Sequence, residues 1–269
     1  GLVDMGLPGL LVPEAFGGMG LNLIDAVPIA VECGRACLAE PLVETAFVAV
    51  PWLVRQGDTD RLEAIATGGH KAALAHVVNP WVADGEGKRL ISIDPMRNLA
   101  WAPRRSTADP YLLDVGALMN AAQLVGVAEA MMAQAVEYAK VRTQFGQPIG
   151  AFQAVKHQLA NCAVAIEFAK PALLRAGLAL QSEEAGASVH VSHAKVAASD
   201  AATQTGEVAV QVHGAMGMTD ECLVGGYVKH LLAIGQTLGD HAFHRNRLAR
   251  PSDTPTDPLS MTLVPETLS

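Results

Sequence analysis

Between Leu124 and Tyr138 the apolar residues recur at three- and four-residue intervals: Leu124, Val127, Met131, Ala135 and Tyr138. That spacing places them on one face of an α-helix. Phe152, Val155, Leu159, Cys162 and Ile166 repeat the pattern directly afterwards, with Pro171 expected to kink or interrupt this second helix. Residues 187–212 are rich in Ala, Ser and Gly, which lets helices approach closely, and a fourth helical stretch covers 221–235. Helices joined by short loops bury their stripes together as an antiparallel bundle. Half of the 269 residues are apolar but only 4% are aromatic. A core of Ala, Val and Leu suits packed helices better than a β-sandwich.

The rest of the chain is organised around this block. Asn22 is placed to cap a helix over 23–38, with Ile24, Val27, Val31 and Gly34 on one face, and Pro41 breaks it. Further helices are expected over 43–56, ending near Gly57, and over 59–67, closed by Gly68 and Gly69. Residues 71–113 change character. KAALAHVV, KRLISIDP and NLAWAP read as strands, separated by Pro80, Pro95, Pro103 and Pro110. The organisation expected is an N-terminal helical domain over 1–70, a small β segment over 71–113 leaning on the helices, a four-helix bundle over 114–250, and a poorly ordered tail over 251–269. The fold class is mainly α.

Several functions are excluded by what the residues lack. A net charge of −8 with no basic run argues against nucleic acid as a partner. No run of eighteen apolar residues is free of charges and glycines, so no membrane span is expected, and without a signal-peptide pattern the expected location is cytoplasmic. The chain starts at Gly1, and residues missing before it would be no surprise. Cys33, Cys37, Cys162 and Cys222 have no metal or redox spacing and read as reduced thiols. His190 and His193, like His241 and His244, are three apart, but none has a glutamate three residues before it, so no metal is expected. Neither a GxSxG elbow nor a GxGxxG fingerprint is present.

Two turns carry what chemistry there is. In VRTQFGQPIGAFQ (141–153), Arg142 beside a tight turn is a candidate phosphate ligand. The plain alternative is a surface arginine that complements a helix C-terminus. Gln153 reads a base edge or faces solvent. In QVHGAMGMTDE (211–221), Gly214 and Gly217 let a ligand approach backbone N–H groups, or simply close an interhelix loop. By themselves these residues do not amount to an active site.

YAKVRTQFGQPIGAFQAVKHQLA (138–160) resembles the acyl-CoA dehydrogenases closely, and the resemblance continues in AVQVHGAMGMTDE (209–221) and in MGLPGLLVPEAFGGMGL (5–21). It implies an N-terminal helical domain, a middle β domain and a C-terminal four-helix bundle. It also implies FAD as cofactor and oxidation of the Cα–Cβ bond of an acyl-CoA thioester. Carried over, Arg142 contacts the FAD pyrophosphate, Phe145 packs near the adenine end, and Gln153 lies near the adenosine portion. Gln211, Gly214 and Gly217 approach the pyrophosphate. In the family these groups act across a subunit interface on flavin held mainly by a neighbouring chain, which implies an oligomer.

The departures narrow the expectation. The middle region, LAHVVNPWVADGEGKRL (74–90), is short and lacks the family segment that packs on the flavin ring. The position of the family's usual catalytic glutamate aligns with Leu238, followed by Gly239 and Asp240. Its alternative position, on the first bundle helix, falls near Gly116. Neither leucine nor glycine removes a proton. Asp240, beside His241, is a candidate base; a capping residue is the other reading. The chain therefore resembles the base-deficient subunit of heteromeric α2β2 actinobacterial acyl-CoA dehydrogenases. There a homologous partner subunit supplies the glutamate, FAD is shared, α-proton removal is coupled to hydride transfer to the flavin, and the acyl-CoA substrate often carries a steroid side chain. A structural subunit without flavin, and a self-sufficient dehydrogenase using Asp240, are the alternatives.

Overall fold

A computed structural model describes residues 1–72, 74–85, 87–219 and 221–249; the tail from Pro251 lies outside the described residues. The core is one continuous layer of helices around α4, Pro110–Val141. This helix packs against α1 (Leu23–Arg35), α5 (Gln153–Gln181), α6 (Ala187–His213) and α7 (Leu223–Gly235). Surrounded in this way, α4 is buried on nearly all sides from Leu112 to Ala128, not on the single face that the periodicity predicts. It is also the one described helix long and apolar enough to cross a membrane, but 94% of its most apolar window is buried, so its apolarity serves the core.

Local chemistry explains the helix ends. Asn22 and Asp25 form a reciprocal capping box at the start of α1. Gly57 in the left-handed region ends α2, Val50–Gln56, which continues a π-helical stretch over Val43–Ala49. α3 spans Thr59–Ala66. Helices α1 and α4 cross backbone to backbone: a β carbon on Gly34 would stand 2.0 Å from the Gln123 carbonyl oxygen.

Two local expectations are corrected. Pro110 does not separate strands; it is the first residue of α4, where a missing N–H costs nothing, and Asp109 caps it by accepting from the Tyr111 N–H at 2.8 Å. Pro171 leaves α5 unbroken. It lies on the exposed face, so water can satisfy the carbonyl that it frees, while Ala169 and Leu173 keep their buried contacts. An eighth helix, α8 (His241–Ala249), follows α7; its Arg247 meets Asp114 of α4 at 2.8 Å, both nearly buried.

The β segment is smaller than its apolar runs suggest. β1 (Ala75–His76) pairs in parallel with β5 (Ser106–Thr107). β2 (Trp81–Ala83) and β3 (Lys88–Leu90) flank β4 (Leu99–Trp101) in an antiparallel sheet. It does lean on the helices. Asp94 meets His230 of α7 at 2.6 Å, and Arg97 meets Glu44 at 3.0 Å.

Candidate functional site

Arg142 ends α4. Its N–H still donates to the Tyr138 carbonyl at 2.9 Å, but its ψ of 118° turns the chain away from the helix, and its carbonyl accepts from the Ile149 N–H at 2.8 Å. Between these points a minimal hairpin forms from β6 (Thr143–Gln144) and β7 (Gln147–Pro148). Its two-residue turn, Phe145-Gly146, has φ of 54° and 81°. Positive φ at both turn positions matches the strand twist and ordinarily selects Asn-Gly. Phenylalanine there is strained, and its ring is 93% exposed, touching Phe152 edge-on at 6.2 Å.

Beside the hairpin lies the end of α6. Gly214 ends the helix with φ 64° and ψ −145°, a conformation nearly confined to glycine. The chain then makes a 3-10 turn, Gly214–Met218. The two helix ends enclose an open cleft of about 380 Å³, whose lining includes Tyr138, Arg142, Gln144, Gln211, His213 and Gly214. Tyr138 and His213 stack with ring centroids 4.3 Å apart.

Three of the six residues singled out for cofactor binding thus line one cleft: Arg142, Gln211 and Gly214. Phe145 stands outside it at the hairpin tip, and Gln153 is exposed at the first turn of α5. Gly217 faces its own helix. A β carbon there would lie 3.1 Å from Val210 Cα, so the close approach that this glycine permits is of the turn to α6. Sequence spacing missed Tyr138 and His213 as cleft residues, because Tyr138 already had a place on the apolar stripe of α4. The donor set fits an anionic diphosphate: a guanidinium, an imidazole, a carboxamide and a backbone with no side chain in the way.

The second locus is the one where a proton acceptor is expected. Leu238 and Gly116, far apart in the chain, are in direct contact. Leu238 Cδ1 lies 2.0 Å from the place that a β carbon on Gly116 would take. Leu238 is buried, with φ 54°. Its N–H donates to Asn79 Oδ1 at 3.0 Å, and its carbonyl accepts from His244 Nε2 at 3.0 Å. The preceding Thr237 is gripped by two cations: its carbonyl accepts from Lys195 Nζ at 3.1 Å, and its hydroxyl lies 3.3 Å from Arg97 Nη1. Lys195 is wholly buried and also donates to Asn120 Oδ1; burial drives its ammonium down to about 7. A small cavity of about 40 Å³ is lined by Leu238, Thr237, Asn79 and Arg97. The carboxylate on its wall, Glu44, is held by Arg97.

Asp240 is a helix cap. Its Oδ1 accepts from the Phe243 N–H at 2.7 Å at the start of α8. The carboxylate close to His241 is Asp200, 2.8 Å from Nε2, so Asp240 and His241 do not form the acid–base pair that their adjacency suggests. Among the described residues no group of three or more His, Cys, Asp or Glu could hold a metal ion. All four cysteines are free thiols, and burial pushes Cys33 up to about 11 and Cys37 up to about 12.

Comparison with known proteins agrees with this architecture. Residues 1–64 match the acyl-CoA dehydrogenase N-terminal domain family and residues 109–252 the acyl-CoA dehydrogenase C-terminal domain family. The chain is 33% identical over 242 residues to the acyl-CoA dehydrogenase IpdE2 of Mycobacterium tuberculosis, covering 81% of this chain and 74% of that protein. Its fold resembles the ChsE4-ChsE5 complex from Mycobacterium tuberculosis, with a TM-score of 0.75, 20% identity, and coverage of 95% of this chain and 87% of that one. It also resembles the Tcur3481-Tcur3483 steroid ACAD G363A variant, with a TM-score of 0.77, 24% identity, and coverage of 92% and 85%. A mainly helical chain with the Arg142 turn, the Gln211–Gly214 helix end and both terminal domains matched belongs to the acyl-CoA dehydrogenase family of oxidoreductases.

Proposed function

We propose that this chain is the base-deficient subunit of a heteromeric, FAD-dependent acyl-CoA dehydrogenase. The observation that carries the reading is the contact between Leu238 and Gly116. Both positions where the family carries its proton-abstracting glutamate are apolar here, and they are packed against each other. The open Arg142 cleft survives alongside this closed locus.

In this division of labour, Arg142, Gln211 and Gly214 bind the diphosphate of a flavin whose ring lies in a homologous partner subunit, in an α2β2 assembly. Phe145, held exposed at a strained turn, packs near the adenine end, and Gln153 faces the adenosine portion. Gly217 acts indirectly, by seating the turn that presents Gly214. When bound, FAD accepts the hydride in the α,β-desaturation of the acyl-CoA. This chain's residues position and retain the cofactor. One of the structural relatives is a steroid ACAD, which supports a steroid side-chain CoA as the substrate class. The capping bond of Asp240 weighs against a self-sufficient enzyme that uses it as base.

A hydrogen bond from a charged donor is worth about 1.5–3 kcal/mol. Arg142→Ala is therefore expected to weaken flavin retention by about ten- to a hundredfold in the purified two-chain complex, read as the A450/A280 ratio after dialysis. Unchanged flavin content would remove Arg142 from the site and favour a structural subunit with no flavin role.

A further inference from the structure

We propose that the outer face of α5 is the surface on which two copies of this chain meet, about a two-fold axis at Pro171. The contact rests on the α2β2 reading only for the presence of two copies; the flavin cleft takes no part in it.

α5 is apolar on two opposite sides. Its inner side, with Ile166, Ala169, Leu173 and Leu180, is buried in the core. A surface helix needs one such stripe. A second one runs along the outer side, where Val164, Phe168, Pro171, Leu174 and Leu178 follow one another at steps of four, three, three and four residues. Phe168 is 75% exposed, Val164 54%, Leu174 49% and Leu178 45%, and Pro171 is exposed between them. Single exposed apolar residues are ordinary, but a continuous row of them marks a contact surface. From Val164 to Leu178 the row is about 21 Å long, and it begins about 16 Å along the helix from Gln153, away from the hairpin.

The order of residues in the row selects its occupant. Val164 and Leu178 stand seven residues either side of Pro171, Glu167 and Arg175 four, and Phe168 and Leu174 three. When two such helices pair antiparallel about a two-fold axis at Pro171, residues equidistant from it come to the same level. Apolar residues then meet apolar ones, and Glu167 of each copy comes level with Arg175 of the other. This is the self-complementarity that an isologous contact demands, with i meeting j and j meeting i. A dissimilar partner puts no such constraint on the row. Both charges are exposed and have neighbours in their own chain, Lys170 beside Glu167 and Glu184 beside Arg175. Their pairing across the axis therefore fixes register more than it adds affinity.

The backbone points the same way. Pro171 has no N–H, so the Glu167 carbonyl lacks the donor that an α-helix ordinarily gives it. Water serves an exposed carbonyl, but a covered one needs a donor from protein. Arg175 of the second copy reaches that level, and a guanidinium has five N–H groups to divide between the carbonyl and carboxylate of Glu167.

The test uses the full chain co-expressed with its homologous partner, sized by sedimentation, with flavin content read in the same samples. Glu167→Arg sets arginine against arginine on both sides of the axis and is expected to weaken the association of the two copies by about tenfold. Arg175→Glu sets glutamate against glutamate and should do the same. The double variant Glu167→Arg/Arg175→Glu should regain the wild-type association, a rescue that damage to a single chain's fold does not produce. Pro171→Cys should form, under mild oxidation, a disulfide-linked pair of this chain, because a residue on the axis meets its own counterpart. Single charge variants that associate like the wild type overturn the proposal, as does a double variant without rescue. So does a Pro171→Cys chain that stays unlinked or links to the homologous partner, since the row then has another occupant. A complex that fails these tests yet keeps its flavin overturns the contact alone. One that passes them yet holds no flavin overturns the cleft assignment alone.

Discussion

Leu238→Glu is expected to destabilise the protein by about 3–5 kcal/mol and to produce no dehydrogenase activity in the isolated chain. Leu238 is 8% exposed, its side chain fills the space over Gly116, and the cavity that it lines is about 40 Å³. A glutamate there buries a carboxylate beside an arginine already engaged by Glu44, and Lys195, bound to Asn120 and Thr237, is driven down to about 7 by burial. Leaving a charge buried without compensation costs that much. Restoring the family's residue type is thus not expected to restore the site, since the new side chain meets Gly116 where Leu238 now packs. Urea denaturation measures the first half of this prediction. Flavin bleaching by acyl-CoA measures the second. A Leu238→Glu chain of wild-type stability that bleaches flavin on its own would show the locus to be an intact pocket with one residue exchanged.

The second large effect is acid sensitivity. His244 is buried with Nε2 donating to the Leu238 carbonyl and Nδ1 3.2 Å from the Ser192 hydroxyl, an arrangement that the neutral ring satisfies. Burial lowers it to about 3, and nearby Lys195 adds to the shift. His76 accepts from the Val78 N–H at 3.1 Å through Nδ1, and burial lowers it to about 4. Both folded values lie below the ordinary histidine value of 6.5. Between that value and the folded ones the unfolded chain binds protons that the native state refuses, so stability falls as pH falls. From pH 7 to pH 5 the loss is about 2 kcal/mol for each histidine. His76→Gln or His244→Gln should each remove about half of this pH dependence in urea titrations, even if the variant is less stable at pH 7. A profile in both variants as steep as the wild type would contradict the assignment.

How much of this was legible depends on the range of the interactions involved. The capping box at Asn22, the left-handed stop at Gly57 and the long stripes of α4 and α5 are written in residues a few positions apart, where spacing alone decides the structure. Arg142, the hairpin and the Gln211–Gly214 helix end are also local, and the family resemblance tied them together. The parallel pairing of β1 with β5 is not local, and two-residue strands leave no periodicity to read. Pro110 and Pro171 are not decided by spacing, because the consequence of a proline depends on what its missing N–H would meet: nothing at the first position of α4, and a helix that runs unbroken with solvent on its outer face in α5. The stacking of Tyr138 on His213 and the packing of Leu238 on Gly116 join distant segments, so only the fold reveals them. The sequence marked the second pair as two separate losses of a glutamate. In three dimensions they are one closed locus.

The most direct measurement is the flavin stoichiometry of this chain, alone and with its homologous partner. A colourless isolated chain and one FAD per pair of chains in the complex are expected, with acyl-CoA bleaching that flavin only when both are present. An isolated chain that purifies with stoichiometric FAD and reduces it with acyl-CoA would contradict the central claim that Leu238 and Gly116 have closed its own site.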